Sequence, residues 1–335
     1  MADYVRVSVD AMGGDHAPAA IVEGAMLALS ARNDIEVILV GDESRIRREL
    51  EKYSDGKDRV RVVHASEVID MDEPPVAAIR SKKDSSMVVG MKLVSSGEAD
   101  AFVSGGSSGA LLVGAQLIVG RLKGIKRPPF ATLIPTKKGV SLLVDCGANV
   151  DARPDHLVTF ARIGSLYMEH IVGVKAPKVG IINIGAEEEK GNALVKETFP
   201  LLKEEPGIHF IGSVEARDIP MGGCDILVCE GFTGNVVLKM MEGTANMLLG
   251  SIKESLMQSL RGKIGGLLIK PSLKKLLKAF DASEYGGAPL LGLKGLVVKV
   301  HGNSKAGEVR QAIFQCADFT SMKMTDKIQE YADQL

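Results

Sequence analysis

Residues 4–18 read YVRVSVDAMGGDHAP, a short apolar run that passes straight into an acid, two glycines, a second acid and a histidine. The β-branched residues favour an extended chain. The glycines mark a turn. The same order recurs outward from this stretch. VRVSV, IEVILV, RVRVV, AFVS, SLLV, KVGIINI, IHFIGSV, DILVC and GLVVKV are each followed by a Gly-rich or polar turn and then a helical pattern. Such alternation predicts an α/β fold of three layers, α/β/α, with a mostly parallel sheet covered on both faces. Runs that are apolar at nearly every position suit strands buried on both sides.

The 335 residues are 45% apolar and 4% aromatic, with no tryptophan, so the core must come from aliphatic side chains and methionine. The length allows two domains, and the reading adopted is one catalytic unit over 1–335. Lys and Arg number 41 against 42 Asp and Glu, so no global field draws the chain to nucleic acid. Cys146, Cys224, Cys229 and Cys316 show no zinc spacing. Without a secretory pattern or a bilayer-long apolar run, reduced thiols and a cytoplasmic location are expected.

Two stretches break the rhythm. RLKGIKRPPFATLIPTKKG reads as a connection between halves of the sheet. From Asn235 to Phe280 a long helical region, interrupted at RGKIGG and at Lys270-Pro271, reads as a helix pair, 236–282, projecting from the sheet. Within it SLKKLLKAF places Leu273, Leu276, Leu277 and Phe280 at helical spacing, with Lys274, Lys275 and Lys278 between them. Leu267 and Leu268 precede them. A basic amphipathic helix of this kind suits a membrane surface or an acidic partner, and equally a dimer or core contact with a solvated basic face. The C-terminal stretch from Ala306 reads as a closing helix with Val309, Ile313 and Phe314 on one face.

Polar groups gather where the strands end. Asp10 and His16, Ser104 to Ser108, Asp145 with Asn149, Lys190, Glu215 with Arg217, Glu230 with Asn235, and His301 all follow apolar runs. In open α/β sheets ligands bind beyond those ends, so the turns are candidates to face one cleft. Each also has a plainer reading. DAMGGDHAP fits an ordinary strand-to-helix turn with Asp15 as N-cap and Pro18 in the first turn. AFVSGGSSGALLVGAQL opens a helix with Gly and Ser, which suits an anion cradle. It lacks the lysine of a P-loop and the spacing of a dinucleotide fingerprint, which leaves a dehydrogenase without cofactor evidence. Residues 105–109 satisfy GxSxG, so a serine hydrolase acting through Ser107 is an alternative. A non-catalytic adaptor for membrane or carrier protein is another. Asp10, Asp15, Asp145 and Asp151 are possible Mg²⁺ ligands or simply solvated turn acids, and no metal or cofactor is predicted.

Taken together, DAMGGDHAP, RSKKDSSM, SGGSSGA, DCGANVDARPDHL, NIGAEEEKGN, GSVEARD, GFTGNVVLK, EYGGAPLLGL and HGNS occur in the order expected of the PlsX family, which the chain resembles over essentially its whole length. These are fatty acyl-[acyl carrier protein]:phosphate acyltransferases of bacterial phospholipid synthesis. The resemblance implies a fold similar to phosphotransacetylases and isopropylmalate dehydrogenases, a homodimer, and a cytoplasmic enzyme peripherally associated with the membrane. It implies acyl carrier protein, inorganic phosphate and a long-chain acyl group as partners. A membrane-bound glycerol-3-phosphate acyltransferase would be the next enzyme. The family's usual SAGNTGA stands here as SGGSSGA, so the Ser107 position is commonly Asn, which counts against a serine nucleophile. Glu230 stands where Asp commonly precedes GFTGN.

Direct attack of phosphate on a thioester needs a held anion, a polarised carbonyl and an apolar path, but no nucleophilic side chain. Lys83, Ser104, Ser107, Ser108 and Arg217 are expected to hold phosphate. His16, Lys190 and Asn235 are expected to polarise the carbonyl or protonate the departing sulfur, with Asp10, Asn149 and Glu215 orienting them. Leu267, Leu268, Leu273, Lys274 and Leu277 are the expected membrane or carrier-protein contacts.

Overall fold

The computed structural model describes residues 4–279 and 286–334, with the side chains of 272–279 excepted. Its strands are β1 (Val5–Asp10), β2 (Ile35–Gly41), β3 (Val60–His64), β4 (Ala101–Ser104), β5 (Ala131–Thr136), β6 (Gly139–Val144), β7 (Lys178–Asn183), β8 (His209–Glu215), β9 (Ile226–Val228), β10 (Ala288–Leu290) and β11 (Leu296–Lys299). They form two sheets, ordered β10-β11-β4-β1-β2-β3 and β5-β6-β9-β7-β8. In the first, every pair is parallel except β10 with β11. In the second, β6–β9, β9–β7 and β7–β8 are parallel. Helices flank the sheets on both sides, giving the expected mostly parallel α/β fold.

All nine apolar runs picked out in the sequence are strands. Val37, Ile38, Leu39 and Val40 of β2 are wholly buried, which requires cover on both faces and explains a run with no polar alternation. Each such side chain contributes roughly 1.5–3 kcal/mol on leaving water.

The contacts divide the chain into two compact units. One comprises Met1–Thr132, Arg162–Ala176 and Ser283–Leu335, the other Leu133–Ala161 and Pro177–Ala282. In the first unit the strand order matters for function. The chain runs from β1 to β2 to β3 in one direction, and β4 then pairs on the other side of β1. That reversal is a topological switch point, and in open α/β sheets ligands bind at the carboxyl ends of the strands beside it. Here the two strands end in Asp10 and Ser104.

Four local expectations are corrected. The stretch after Pro129 is not simply a connection, because Ala131–Thr136 is strand β5. The helical region breaks at neither RGKIGG nor Pro271. It forms helices Gly231–Met257 and Leu260–Ala279, with Pro271 inside the second. The break falls at 258–259, where the Ser259 hydroxyl accepts the Gly262 N–H at 2.9 Å and so satisfies a donor of the second helix's first turn. The C-terminal stretch is two helices, Ala306–Ser321 and Met324–Ala332, separated at Lys323 with φ +53°. Val309 and Ile313 are buried as expected, whereas Phe314 is half-exposed and stacks beneath the guanidinium groups of Arg32 and Arg310. Asp15 does not cap the following helix, Ala19–Ala31. Pro18 holds the N-cap position, and the Asp15 N–H donates to Gly302 O at 2.7 Å.

Candidate active site

In the first unit three loops meet at the switch point. Asp10 ends β1 and is 2% exposed. Its carboxylate accepts the Ser104 hydroxyl at 2.6 Å and the Met12 N–H at 3.1 Å, with the Ser86 hydroxyl and the Gly13 N–H also turned onto it. The Ser104 hydroxyl in turn accepts the Gly106 N–H at 3.0 Å. Gly13 lies so close to this group that a Cβ would stand 2.5 Å from Asp10 Oδ2 and 2.8 Å from Gly106 N. That close approach is why the turn carries glycine there. The third loop joins through the bond from Asp15 to Gly302. DAMGGDH, SGGSS and HGN are thus one cluster.

The strand-turn-helix at Ser104–Ser108 presents free donors. Ser107 is the N-cap of helix Ser108–Gly114, its hydroxyl accepting the Ala110 N–H at 3.4 Å. The N–H groups of Ser107, Ser108 and Gly109 find no acceptor among the described residues, as expected where a helix begins. Ser108 is exposed, while Ser104 and Ser107 are buried. Ser104 is therefore a brace between Asp10 and Gly106 rather than an open hydroxyl. The buried Ser107 hydroxyl is spent on a cap, which does not suit a hydrolase nucleophile. His16 and Lys83 are exposed, whereas the neighbouring Lys82 is tied to Val68 O at 2.7 Å and to Glu73 at 2.5 Å.

Lys299 was not singled out by sequence. It ends β11 opposite Ser104 of β4, and its ammonium donates to Gly105 O at 3.0 Å and Gly106 O at 2.7 Å. Burial pushes it down to about 8, against the pull of Asp10 and Asp15. Its signal in the sequence is a single cation at the end of the otherwise apolar run LVVKV, immediately before HGN.

The second unit holds the other expected residues. Asp145 follows β6, is fully buried, and accepts the N–H groups of Gly147 at 3.0 Å, Ala148 at 3.0 Å and Asn149 at 2.7 Å, together with Asn149 Nδ2 at 2.8 Å. Helix Gly231–Met257 starts against this loop. A Cβ on Gly234 would lie 1.9 Å from Asp145 O, and the Gly231 N–H donates to Asn149 O at 2.7 Å. Glu230 is its N-cap, accepting the Thr233 N–H at 2.9 Å. Asn235 comes one turn later, its side chain 3.9 Å from where a Cβ on Gly147 would stand. Lys190 pairs with Glu187 at 2.9 Å and Arg217 with Glu215 at 2.9 Å, both cations largely exposed. Asn149 and Asn235 thus share one loop-helix junction, while Lys190 and Arg217 sit in surface ion pairs on other turns.

Burial raises the carboxyls of Asp10 and Asp145 above the usual range against these hydrogen bonds. The four cysteines are free and buried. Burial lifts Cys224 to about 12 and Cys146 and Cys229 well up, so none is poised as a thiolate nucleophile. Among the described residues no group of three or more His, Cys, Asp or Glu is arranged to hold a metal ion.

In the helix pair no described residue from 235 to 271 is buried. Leu260, Leu267 and Leu268 are each 75% exposed, beside exposed Arg261, Lys263 and Lys270. The side chains of Leu273, Lys274 and Leu277 lie outside the described residues, as do residues 280–282 of the expected pair. No described helix is long and apolar enough to cross a membrane.

Residues 5–327 match the model of the family described as fatty acid synthesis protein. The chain is 50% identical over 326 residues to the phosphate acyltransferase of Alkaliphilus oremlandii (strain OhILAs), covering 97% of each. It is 46% identical over 330 residues to that of Clostridium novyi (strain NT), covering 98% of this chain and 99% of the relative. Among solved structures, a phosphotransacetylase from Streptococcus pyogenes superposes with a TM-score of 0.61 at 17% identity, covering 96% of this chain and 94% of that one. A branched-chain phosphotransacylase from Enterococcus faecalis V583 gives 0.56 at 16% identity, covering 94% and 98%. At such identities the likeness is one of fold. The family match over nearly the whole length, joined to relatives at about half identity, makes this chain a member of the fatty acid synthesis protein family, the PlsX family of phosphate acyltransferases, and an enzyme that transfers an acyl group to phosphate.

Proposed function

We propose that the enzyme takes a long-chain fatty acyl group from acyl carrier protein and gives it to inorganic phosphate, producing an acyl phosphate for phospholipid synthesis. The observation that carries the reading is the Ser104–Ser108 turn, whose free N–H groups at Ser107, Ser108 and Gly109 open at the switch point beside the Asp10–His16 loop. Oriented amide donors of this kind suit a small anion. In the reaction a phosphate oxygen attacks the thioester carbonyl. The new C–O bond forms, the C–S bond breaks, and the thiolate takes a proton as it leaves. A thiol of pKa about 8.5 departs readily, and phosphate is already largely ionised at neutral pH. Positioning therefore supplies most of the acceleration, on the order of 7–11 kcal/mol for reactants held in attack geometry.

Within this reading Ser107 and Ser108 bind phosphate through their N–H groups, with the exposed Ser108 hydroxyl as a further contact. Ser104 and Asp10 hold the loop, and Lys83 and Arg217 are the cations for the anion. His16, Lys190 and Asn235 act on the carbonyl or the sulfur, with Asn149 and Glu215 orienting their neighbours. Purified protein incubated with palmitoyl-acyl carrier protein should yield acyl phosphate by mass spectrometry only when phosphate is present. Phosphate-independent release of free fatty acid would reject the reading. His16→Ala and Lys190→Ala should each lower turnover at saturating phosphate by about tenfold or more, and wild-type rates in both would remove them from the mechanism.

The exposed apolar helices with their basic flanks fit peripheral attachment to an anionic membrane, near a membrane-bound glycerol-3-phosphate acyltransferase. Replacing Leu267 and Leu268 with Glu should reduce co-sedimentation with anionic vesicles while turnover in solution persists. Unchanged sedimentation would reject the membrane role. A homodimer is likewise part of the proposal, and light scattering giving a monomer mass would overturn it.

A further inference from the structure

We infer that Lys299 is the positioning residue of the phosphate turn, setting the direction of its free N–H groups by drawing the Gly105 and Gly106 carbonyls to one side. The inference rests on the reading that phosphate binds at Ser107 and Ser108. A trans peptide points its N–H opposite to its C=O. With Gly105 O on the ammonium at 3.0 Å, the Gly106 N–H must face away, and it meets the Ser104 hydroxyl at 3.0 Å. With Gly106 O on the same ammonium at 2.7 Å, the Ser107 N–H is also turned away from the lysine, and it carries no protein acceptor.

The Gly105–Gly106 peptide is held on its other side by the bond from the Gly106 N–H to the Ser104 hydroxyl. The Gly106–Ser107 peptide has no such tie on its N–H side, and the glycine lets it turn at little steric cost, so there the ammonium supplies the constraint. It comes from a neighbouring strand, so its position is set by the β4–β11 pairing rather than by the loop. Taking a lysine even partly out of water, as here, costs free energy unless it is well bonded. Here the bonds go to two carbonyls of the loop that the reaction depends on. Asp10 and Asp15 are the charged groups facing it from the β1 turn.

The test compares Lys299→Met, Lys299→Gln and Ser108→Pro with the wild-type enzyme, measuring Michaelis constants for phosphate and for the acyl donor, kcat, and the rise in Tm caused by inorganic phosphate. Ser108 is the first helical residue and Ser107 lies outside the helical region (φ −52°, ψ 120°), so proline there deletes one N–H together with the Ser108 hydroxyl and leaves the helix intact. Lys299→Met should raise the Michaelis constant for phosphate about tenfold or more, the loss expected for a charge-assisted bond. The donor constant should stay within about twofold and the phosphate-induced Tm shift should vanish. Lys299→Gln keeps an uncharged NH₂ group on a shorter stem and should fall between, and it carries the test if the methionine variant does not fold. If Ser108→Pro weakens phosphate binding and the Lys299 variants do not, the inference is overturned and the site stands. A lower Tm with both Michaelis constants unchanged would also overturn it, since that is what mere packing predicts. If none of the variants alters phosphate binding, the placement of phosphate itself is wrong.

Discussion

Asp10 and Asp145 occupy similar places in their units, each a buried acid at the end of an interior strand ahead of a Gly-containing loop, yet they organise their surroundings differently. Asp10 gathers hydroxyls from two other segments, Ser104 at the end of β4 and Ser86 at the start of helix Ser86–Ser95, along with N–H groups of its own turn. Asp145 draws its donors from residues 147–149 of its own loop. One acid ties three stretches of chain into a shared cradle. The other closes a single turn, against which a helix is then jammed. Convergence leaves N–H groups unspent at Ser107 and Ser108, whereas self-closure spends them on the carboxylate.

The largest expected effect tests how tightly that second turn is jammed. A Cβ at residue 234 would stand 1.9 Å from the Asp145 carbonyl oxygen and 2.9 Å from its carbon, both backbone atoms. Gly234→Ala should therefore destabilise by about 3 kcal/mol or more, the upper end for overpacking. Gly13→Ala meets the Asp10 carboxylate oxygen at 2.5 Å and the backbone nitrogen of Gly106 at 2.8 Å, a less severe overlap than 1.9 Å. It should cost about 1–2 kcal/mol of stability but disturb Gly106, and with it phosphate binding. Urea midpoints of the two variants check this, and equal midpoints would erase the distinction.

Next in size is the exchange of each acid for its amide. At Asp145 an Asn side chain must turn an NH₂ group toward fixed backbone N–H donors, leaving buried groups unsatisfied at about 1–3 kcal/mol. At Asp10 two of the donors are hydroxyls, which can rotate and accept instead. Asp10→Asn should accordingly retain a midpoint near that of the wild type while Asp145→Asn loses it, and the reverse order would break the account of the two turns.

The contrast also explains how much the sequence revealed. The strands were legible because burial on both faces leaves no alternation to hide them, and the Ser/Gly turn because few residue types permit a backbone to approach so closely. β5 was not legible as a strand, since Pro135 and the flanking prolines and lysines read as punctuation. The helix break at 258–259 was displaced in the reading because the glycines of RGKIGG outweigh a single serine cap. Lys299 escaped because its role depends on strand order. Nothing local to LVVKV says that β11 lies beside β4, and only that neighbour brings its ammonium to Gly105 and Gly106. For the same reason the exposed ion pairs of Lys190 and Arg217 could not be told in advance from cations with free ammonium or guanidinium groups.

The smallest effect is a pH dependence that ranks the two acids. Burial raises both carboxyls above the ordinary 3.8, so between that value and the raised one the folded chain keeps a proton that the unfolded chain has released. Each acid thus contributes stability that is fully present below 3.8 and lost as pH rises through its folded value. A protonated Asp10 can donate to a rotated Ser104 or Ser86 hydroxyl, so its neutral form is well accommodated. A protonated Asp145 would direct its proton at N–H groups that cannot turn, which opposes the effect of burial. Removing the titration by Asp10→Asn should therefore flatten the fall of the urea midpoint above pH 4 more than Asp145→Asn does, and equal slopes in the two variants would mean that the hydroxyls give Asp10 no such freedom.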